Sequence, residues 1–502
     1  MHLQEALSGV LRKSGPFQRR LFLLMSLPVI MKGYQTMMVI LIFAVPAHRC
    51  SVPGLLNDSY VIQDERHRTL VEGAIPLSTE SAKFAQCEMY ENWNGTENNF
   101  NLVCDKKAYR AHFNLASMIG KLIGCFLTSF LCDRSVTYTS CAVVGTMSAF
   151  PPSPGVFFFY RLVLVTFGTA MYQACYVLVI EFMGPTKRAL AGSLMMTTWV
   201  LGPLLSGATA YATGVWWHIQ LISAVRCIVC AGYWWLVPES PRWLVSRGRS
   251  DEAAAVLKKV ASANGVNIQH VSHSQATVHE DEEKIPEEKG FLHAYTLLKK
   301  YPRLVVRMLI IFFNWIVVNM TYYGLSLNVA NLSGSIRVNF LLSSLVELTG
   351  YCGAWVLLDR LGRKRLHCAC MTLAGVALLA TILTVTLGGA DLQWATTALA
   401  MIGKMGVSAS FSIIFLLTSE LYPTVIRNFG LGGSATVGRF GSIVSPYIAD
   451  LALFVEGRIG PALPLIVFGG LTMAAGGLSL MLPETLHRKL PETLEDAVNF
   501  GK

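Results

Sequence analysis

The chain has 502 residues, 53% of them hydrophobic and 14% charged. A soluble domain carries about 25% charged residues, so an ordinary soluble enzyme is excluded. Lys and Arg total 41 against 31 Asp and Glu, a formal charge of +10, but the basic residues sit between apolar blocks rather than on an aromatic-interleaved face. That excludes a nucleic-acid binder and fits the positive excess on the cytoplasmic side of a membrane protein.

In chain order, residues 1–20 hold Arg12, Lys13, Arg19 and Arg20 and lack the apolar core of a signal peptide. They read as a cytoplasmic N-terminus. An apolar block follows at 21–45, and about 20 residues suffice to cross the roughly 30 Å hydrocarbon core. Eleven more blocks lie at 111–131, 136–150, 156–183, 189–212, 215–237, 304–327, 338–358, 366–388, 392–418, 428–454 and 461–482. Only a helix satisfies its own backbone in lipid over such lengths without closing a barrel. The expectation is an all-α membrane protein with twelve transmembrane helices, six in 21–237 and six in 304–482. The third block is short and runs into Pro-Pro-Ser-Pro-Gly at 151–155.

Two loops are long. Residues 46–110 are polar and carry Asn57-Asp58-Ser59 and Asn94-Gly95-Thr96, two glycosylation sequons that assign the loop to the outside. Cys50, Cys87 and Cys104 in the same loop are disulfide candidates, and being three they leave one thiol over. Residues 238–303 form a linker, read as cytoplasmic. Within it Ser250-Asp251-Glu252 predicts a short helix with Ser250 as its N-cap, and 266–290 reads as disordered. Threading twelve spans puts Arg134, Lys187, Arg188, Arg360, Arg363, Lys364, Arg365, Arg427, Arg488 and Lys489 on one side, with both termini and the 483–502 tail. By the positive-inside rule that side is cytoplasmic.

Three markers recur in the same order in both halves. Asp133-Arg134 after the second span matches Asp359-Arg360-Leu361-Gly362-Arg363-Lys364-Arg365 after the eighth. Glu181 with Arg188 matches Glu420 with Arg427, and Pro238-Glu239-Ser240 matches Pro483-Glu484-Thr485. A duplicated six-span unit with a midplane site between its copies is a transporter design.

These markers, with Asn101-Leu102-Val103-Cys104, Glu181-Phe182-Met183-Gly184-Pro185, Pro241-Arg242-Trp243-Leu244, Tyr323-Gly324-Leu325-Ser326-Leu327-Asn328 and Ser419-Glu420-Leu421-Tyr422-Pro423-Thr424, resemble the major facilitator superfamily. Within it the chain is similar to the organic ion transporter family of organic cation, carnitine and organic anion carriers. The resemblance implies a major facilitator fold in two pseudo-symmetric halves and a plasma-membrane secondary transporter of small organic ions, not an enzyme. It would work by alternating access, with the lipid bilayer, its substrate and a coupling ion or counter-substrate as partners. No cofactor and no metal is expected. One departure stands out: Asp133-Arg134-Ser135-Val136-Thr137 lacks the Gly and the basic residues that follow Asp-Arg in the family pattern.

Charged side chains inside spans cost about 2.5–3.5 kcal/mol each at a helix centre, so they need partners or a polar cavity. The candidates are Lys32, Lys121, Arg161, Arg226, Glu347, Lys404 and Arg439. The resemblance places an Arg at Arg439 in carnitine and anion carriers and an Asp in cation carriers. A guanidinium fork pairs bidentately with a carboxylate, so Arg439 is read as a substrate contact, or otherwise as a structural ion pair. Lys404 adds a second positive charge to the cavity and is read as a substrate contact or as a structural pair. Glu347 is read as a partner of Arg439 or Lys404, or as a coupling group. Arg161 is read as structural or gating, Lys32 and Arg226 as snorkelling or paired, and Lys121, unusual for the family, has no assigned role. Tyr34, Trp199, Trp315, Tyr322, Tyr323 and Phe411 are aromatics that would line a cavity and suit an ammonium, or simply pack. By analogy with the family, Asp133, Arg134, Glu181, Arg188, Asp359, Arg360, Arg363, Glu420 and Arg427 form an inner charge gate. Two other readings compete: a cation carrier indifferent to Arg439, and a non-transporting sensor or scaffold of the same fold.

Overall fold

The computed structural model describes residues 15–42, 62, 65–74, 109–130, 134–183, 188–213, 216–231, 237–246, 248–265, 302–388, 392–423, 427–451, 459–486, 488, 491, 496, 497 and 500. Asn57, Asn94, Cys50, Cys87, Cys104, Asp133 and the 266–290 segment lie outside the described residues, as do the side chains of Arg134, Arg188, Arg226 and Arg427.

The first half contains α1 (Pro16–Ile42), a short helix α2 (Glu65–Ala74) in the 46–110 loop, α3 (Tyr109–Phe130), α4 (Arg134–Met147), α5 (Pro154–Phe182), α6 (Arg188–Thr213) and α7 (Trp216–Ala231). The linker supplies α8 (Pro241–Ser246) and α9 (Ser250–Ala263). The second half contains α10 (Pro302–Asn328), α11 (Ile336–Leu361), α12 (Arg363–Gly388), α13 (Gln393–Leu421), α14 (Arg427–Ala449) and α15 (Leu463–Ser479). Six of these, α1, α5, α10, α11, α12 and α13, are long and apolar enough on their own to cross a bilayer.

Local chemistry explains the boundaries. The Pro-rich stretch after α4 is a helix start: the Ser153 hydroxyl accepts from the Val156 amide, and Pro154 occupies the first turn, where its missing N–H costs nothing. At α9 the expected cap is corrected. Arg249 holds the N-cap position without a side-chain cap, Ser250 is the first helical residue, and Arg249 instead forks onto Glu252 at 2.7 Å through both Nε and Nη2. The helix docks on the start of α1, where the Asn264 side chain accepts from the Phe17 amide at 3.2 Å and donates to Gln18 at 2.9 Å. Leu257, Val260 and Ala261 enter the core around Leu21, Met25 and Phe182.

The two halves repeat one packing scheme. α1 packs on α6, α3 on α5 and α4 on α7; α10 packs on α14, α11 on α13 and α12 on α15. In each half the first helix pairs with the fifth, the second with the fourth and the third with the sixth. Lipid is as apolar as Leu, so close backbone approach rather than hydrophobicity holds such helices together. At the α1–α6 crossing a Cβ on Gly202 would lie 2.2 Å from the Ile30 carbonyl oxygen and 2.3 Å from the Tyr34 amide nitrogen, so only glycine fits.

Between the halves, α6 meets α11 and α3 meets α14. Gly207, late in α6, abuts Phe340 and Leu341, early in α11. The rings of His112, at the start of α3, and Tyr447, at the end of α14, lie 6.4 Å apart. These contacts join the halves at the end of the bundle opposite Arg363.

Candidate functional site

Midway along the spans, charged side chains from both halves converge. Lys32 and Lys121 are each 3% exposed, Arg161 0%, Glu347 3% and Lys404 2%. Arg439, on α14, is half-buried.

The second half holds a self-contained ion pair. Lys404 Nζ on α13 lies 3.5 Å from Glu347 Oε2 on α11. The same ammonium donates to Ser326 Oγ and to the Tyr322 carbonyl at 3.1 Å, and sits 3.6 Å from the centre of the Tyr322 ring. The Tyr322 hydroxyl donates to Glu347 Oε1. Of the two partners open to Glu347 in the sequence, the tertiary structure selects Lys404. The one-turn spacing Tyr322…Ser326 puts both on the α10 face toward Lys404.

The first half holds the opposite arrangement: cations with no carboxylate beside them among the described residues. Lys121 Nζ on α3 lies 3.7 Å over the centre of the Tyr323 ring, across the boundary between the halves. Its other contact is the Met118 sulfur at 3.4 Å. Lys121 lies within electrostatic reach of Lys32, Arg439 and Arg161, all positive. Lys32 Nζ on α1 donates to the Val165 carbonyl at 3.1 Å, and its near neighbours include Arg161 and Arg439. Arg161 on α5 donates to Ser117 at 3.3 Å, while its Nε and Nη1 have no partner. The Arg439 guanidinium lies beside the Tyr323 hydroxyl and the Cys125 thiol, and its Nε is also unpartnered. Gln35, one turn from Lys32 on α1, leaves its Nε2 unpartnered too. Unpaired buried cations cost several kcal/mol each, and a desolvated cation–π contact returns about 2 kcal/mol. The remainder is what an anion placed among Lys32, Lys121 and Arg439 would supply.

Aromatic rings pack around these charges. Tyr322 is 5.0 Å from Tyr323 and 5.0 Å from Phe411, which continues to Phe415 at 5.8 Å. On the other side Tyr172 lies 5.6 Å from Trp199, donates to the Met196 sulfur at 3.4 Å, and is within electrostatic reach of Tyr323 and Arg439. Two expected cavity aromatics sit elsewhere. Tyr34 is wholly buried within the first half, its hydroxyl hydrogen-bonded with Thr209 at 2.8 Å and to the Ile219 carbonyl at 3.2 Å. Trp315 is buried within the second half, donating to Thr418 at 2.9 Å and packed edge-on to Phe415. Both are packing residues here, because their polar atoms are spent inside one half. Tyr172, Ser326, Gln35 and Cys125 are the site residues that sequence reasoning missed. The i, i+4 relation of Ser326 to Tyr322 and the last two-thirds of α5 carried no signal that distinguishes a cavity face from a packed one.

At the far end, the second-half charge cluster is assembled. Arg363 bridges Asp359 at 3.2 Å and Glu420 at 3.4 Å. Glu420 also accepts from Thr485. Glu484 closes the group by accepting from the backbone amides of Arg363 at 2.8 Å, Lys364 at 3.3 Å and Arg365 at 3.3 Å. Burial pushes the Glu484 carboxyl up, but the amides of Arg365, Thr485, Lys364 and Leu486 outweigh it and hold it below its ordinary value. Gly362 makes this possible: its φ is +90°, and a Cβ there would lie 2.7 Å from the Glu484 carboxylate. Arg360 is exposed, and Glu181 is half-buried at the end of α5.

Residues 76–496 match the family model described as "Sugar (and other) transporter". An organic cation transporter protein of Drosophila melanogaster is 34% identical, over 97% of this chain and 93% of its own. Solute carrier family 22 member 3 of Mus musculus is 33% identical over 80% of this chain and 71% of its own. Organic cation/carnitine transporter 2 of Homo sapiens is 29% identical over 98% and 93%. Among solved structures, the partially occluded inward-open xylose transporter XylE of E. coli superposes with a TM-score of 0.63 at 15% identity, covering 94% of this chain and 99% of that one.

Proposed function

The chain belongs to the sugar (and other) transporter family, among its organic cation transporters and their relatives, and on that premise we propose that it carries small organic ions bearing a carboxylate. It is a multi-pass membrane transporter with the major facilitator fold, not an enzyme. The carboxylate would bind at Arg439, Lys121 and Lys32, with Tyr172, Tyr322 and Tyr323 as an aromatic wall able to take an ammonium elsewhere on the same solute.

The observation that carries this reading is the charge count at the centre. Lys32, Lys121, Arg161 and Arg439 face one another, and the one carboxylate described beside them, Glu347, is already held by Lys404 and Tyr322. An anion, or a zwitterion such as the carnitine named for the Homo sapiens relative, satisfies the donors; a simple cation does not. The name of the Drosophila relative favours a cation as the second reading.

Transport would proceed by rocking of the two six-helix halves about this centre, a ligand shifting the balance only through different affinity for the two states. The cluster of Asp359, Arg363, Glu420 and Glu484 would serve as a latch at the cytoplasmic end, with Asp133, Arg134, Glu181, Arg188, Arg360 and Arg427 as its further members. The same reading puts the protein in the plasma membrane with both termini inside and the 46–110 loop, with Asn57 and Asn94, outside.

The test is uptake in oocytes of labelled carnitine, tetraethylammonium and p-aminohippurate by wild type and Arg439→Ala, with surface expression measured in parallel. Loss of a charged hydrogen-bond partner is expected to lower uptake of the carboxylate-bearing solutes by about 10–100-fold. Uptake of tetraethylammonium alone, unchanged in Arg439→Ala, overturns the carboxylate assignment in favour of the cation.

A further inference from the structure

We propose that the end of the bundle carrying Arg363 holds a built site for the phosphorylated headgroup of an anionic phospholipid. The site is a cavity of about 380 Å³ lined by Arg307, Lys364, Arg488, Leu480, Met481 and Glu484, among others. It lies outside the central charged region; of its lining the transport reading uses only Glu484, in the latch, and gives no role to Arg307, Lys364 or Arg488. It rests on the positive-inside orientation, which puts this end at the inner leaflet.

Three positive side chains from separate parts of the chain converge there: Arg307 from the second turn of α10, Lys364 from the first turn of α12, and Arg488 from the segment after α15. The single carboxylate in the wall, Glu484, has both oxygens turned onto backbone amides, Oε1 toward Arg363, Lys364, Thr485 and Leu486, and Oε2 toward Arg365. Among the described residues it therefore forms no side-chain pair with the three cations; Lys364 and Arg488 present their charge to a multiply charged anion, and Arg307 adds its own while its Nη1 and Nη2 hold the Ala497 and Phe500 carbonyls.

The neighbouring surface says that the anion comes with acyl chains. Leu480 and Met481 are 62% and 64% exposed just past the end of α15. Large apolar side chains beside basic ones at the end of a span match the boundary between headgroups and acyl chains, where basic residues reach out to lipid phosphates. A water-soluble phosphate compound would have no use for that apolar rim.

Occupancy would reach the latch. Arg307 donates to the carbonyls of Ala497 at 2.7 Å and Phe500 at 2.9 Å, so it already tethers the C-terminal tail to α10. Lys364 is adjacent to Arg363, which bridges Asp359 and Glu420. A headgroup spanning Arg307, Lys364 and Arg488 joins the tail, the start of α12 and the segment after α15 into one unit, and so ties the second-half latch to the lipid composition of the leaflet.

The purified full-length protein is examined by native mass spectrometry with dioleoylphosphatidylinositol 4-phosphate, dioleoylphosphatidylcholine or the soluble inositol 1,4-bisphosphate added. The wild type is expected to retain the phosphoinositide and not the phosphatidylcholine. Each basic side chain removed is expected to weaken retention about fivefold, so Lys364→Gln/Arg488→Gln loses roughly 25-fold. Arg488→Lys keeps the charge and is expected to stay within about twofold of wild type. Arg488 is exposed, so Arg488→Gln alone provides a variant whose folding is not in question. The proposal is overturned if phosphatidylcholine is retained equally, if Arg488→Gln and the double variant bind like wild type, or if inositol 1,4-bisphosphate binds as tightly as the lipid.

Discussion

At the scale of single residues, the centre of this protein divides into a satisfied half and an unsatisfied one. Glu347 and Lys404 meet each other, Tyr322 and Ser326, so every charge in that group has an answer. Lys32, Lys121, Arg161 and Arg439 have mainly each other, carbonyls, thiols and a ring face. Breaking a buried pair from one side costs about 3–5 kcal/mol, whereas replacing both members by apolar groups of similar size is close to neutral. Lys404→Met is therefore expected to lower the melting temperature in detergent strongly, because Glu347 is left charged and unpaired except for Tyr322. Lys404→Met/Glu347→Leu is expected to recover most of the loss. A double variant as unstable as the sum of the two single variants would show that the pair is not coupled. Sequence alone flagged all these residues, since a charge inside a span demands an explanation. It left Glu347 with two possible partners and Lys121 with none, because pairing across helices depends on which faces meet.

At the scale of elements, glycine and one carboxylate do work that hydropathy does not record. Gly202 lets α6 touch the backbone of α1, and Gly362 turns the chain between α11 and α12 while leaving room for Glu484. Glu484 then caps α12 from the far side of the half, satisfying amides that a helix start leaves open. A carboxyl held below its ordinary value stabilises the fold above the unfolded value near 4.5 and loses that contribution as pH falls through the lower folded value. Stability of the wild type is thus expected to decline below about pH 4.5, and Glu484→Gln to remove part of that decline while lowering stability at neutral pH by roughly 1–2 kcal/mol. Melting temperatures of both proteins between pH 3.5 and 7 check it; parallel curves would rule out the cap. The marker Pro483-Glu484-Thr485 was visible as a repeat, but not its cap role, because residues 119 to 121 positions apart are brought together only by the packed half. In the first half Val136 stands at the place where Gly362 follows its own Asp-Arg-Leu.

At the scale of the whole molecule, the halves touch at the end that holds Gly207, Leu341, His112 and Tyr447. Alternating access requires that this contact break in each cycle. Gly207→Cys/Leu341→Cys, bridged by a short bifunctional thiol reagent, is expected to cut uptake by more than about tenfold, with either single variant treated alike as the control and a reducible reagent restoring activity on reduction. Undiminished uptake by the cross-linked protein would mean that the halves do not separate there.

The number, order and duplication of the spans were all legible in the chain itself. Six of the described helices show this as a local property: enough apolar residues in a row to cross a bilayer, with charges confined to the ends and to a few costly positions inside. The family followed from short motifs at the span ends, equally local. Which face of each helix looks inward was not legible, because a lipid-facing surface and a protein-facing one are equally apolar. That is why Tyr34 and Trp315, good cavity candidates by type, turn out to pack inside one half each, and why Tyr172 and Ser326 went unnoticed. Only the tertiary structure decided that Lys404 answers Glu347, that Lys121 reaches across to Tyr323, and that four cations share the centre. Those outcomes depend on how seven helices from two halves face one another, and no window of sequence contains that.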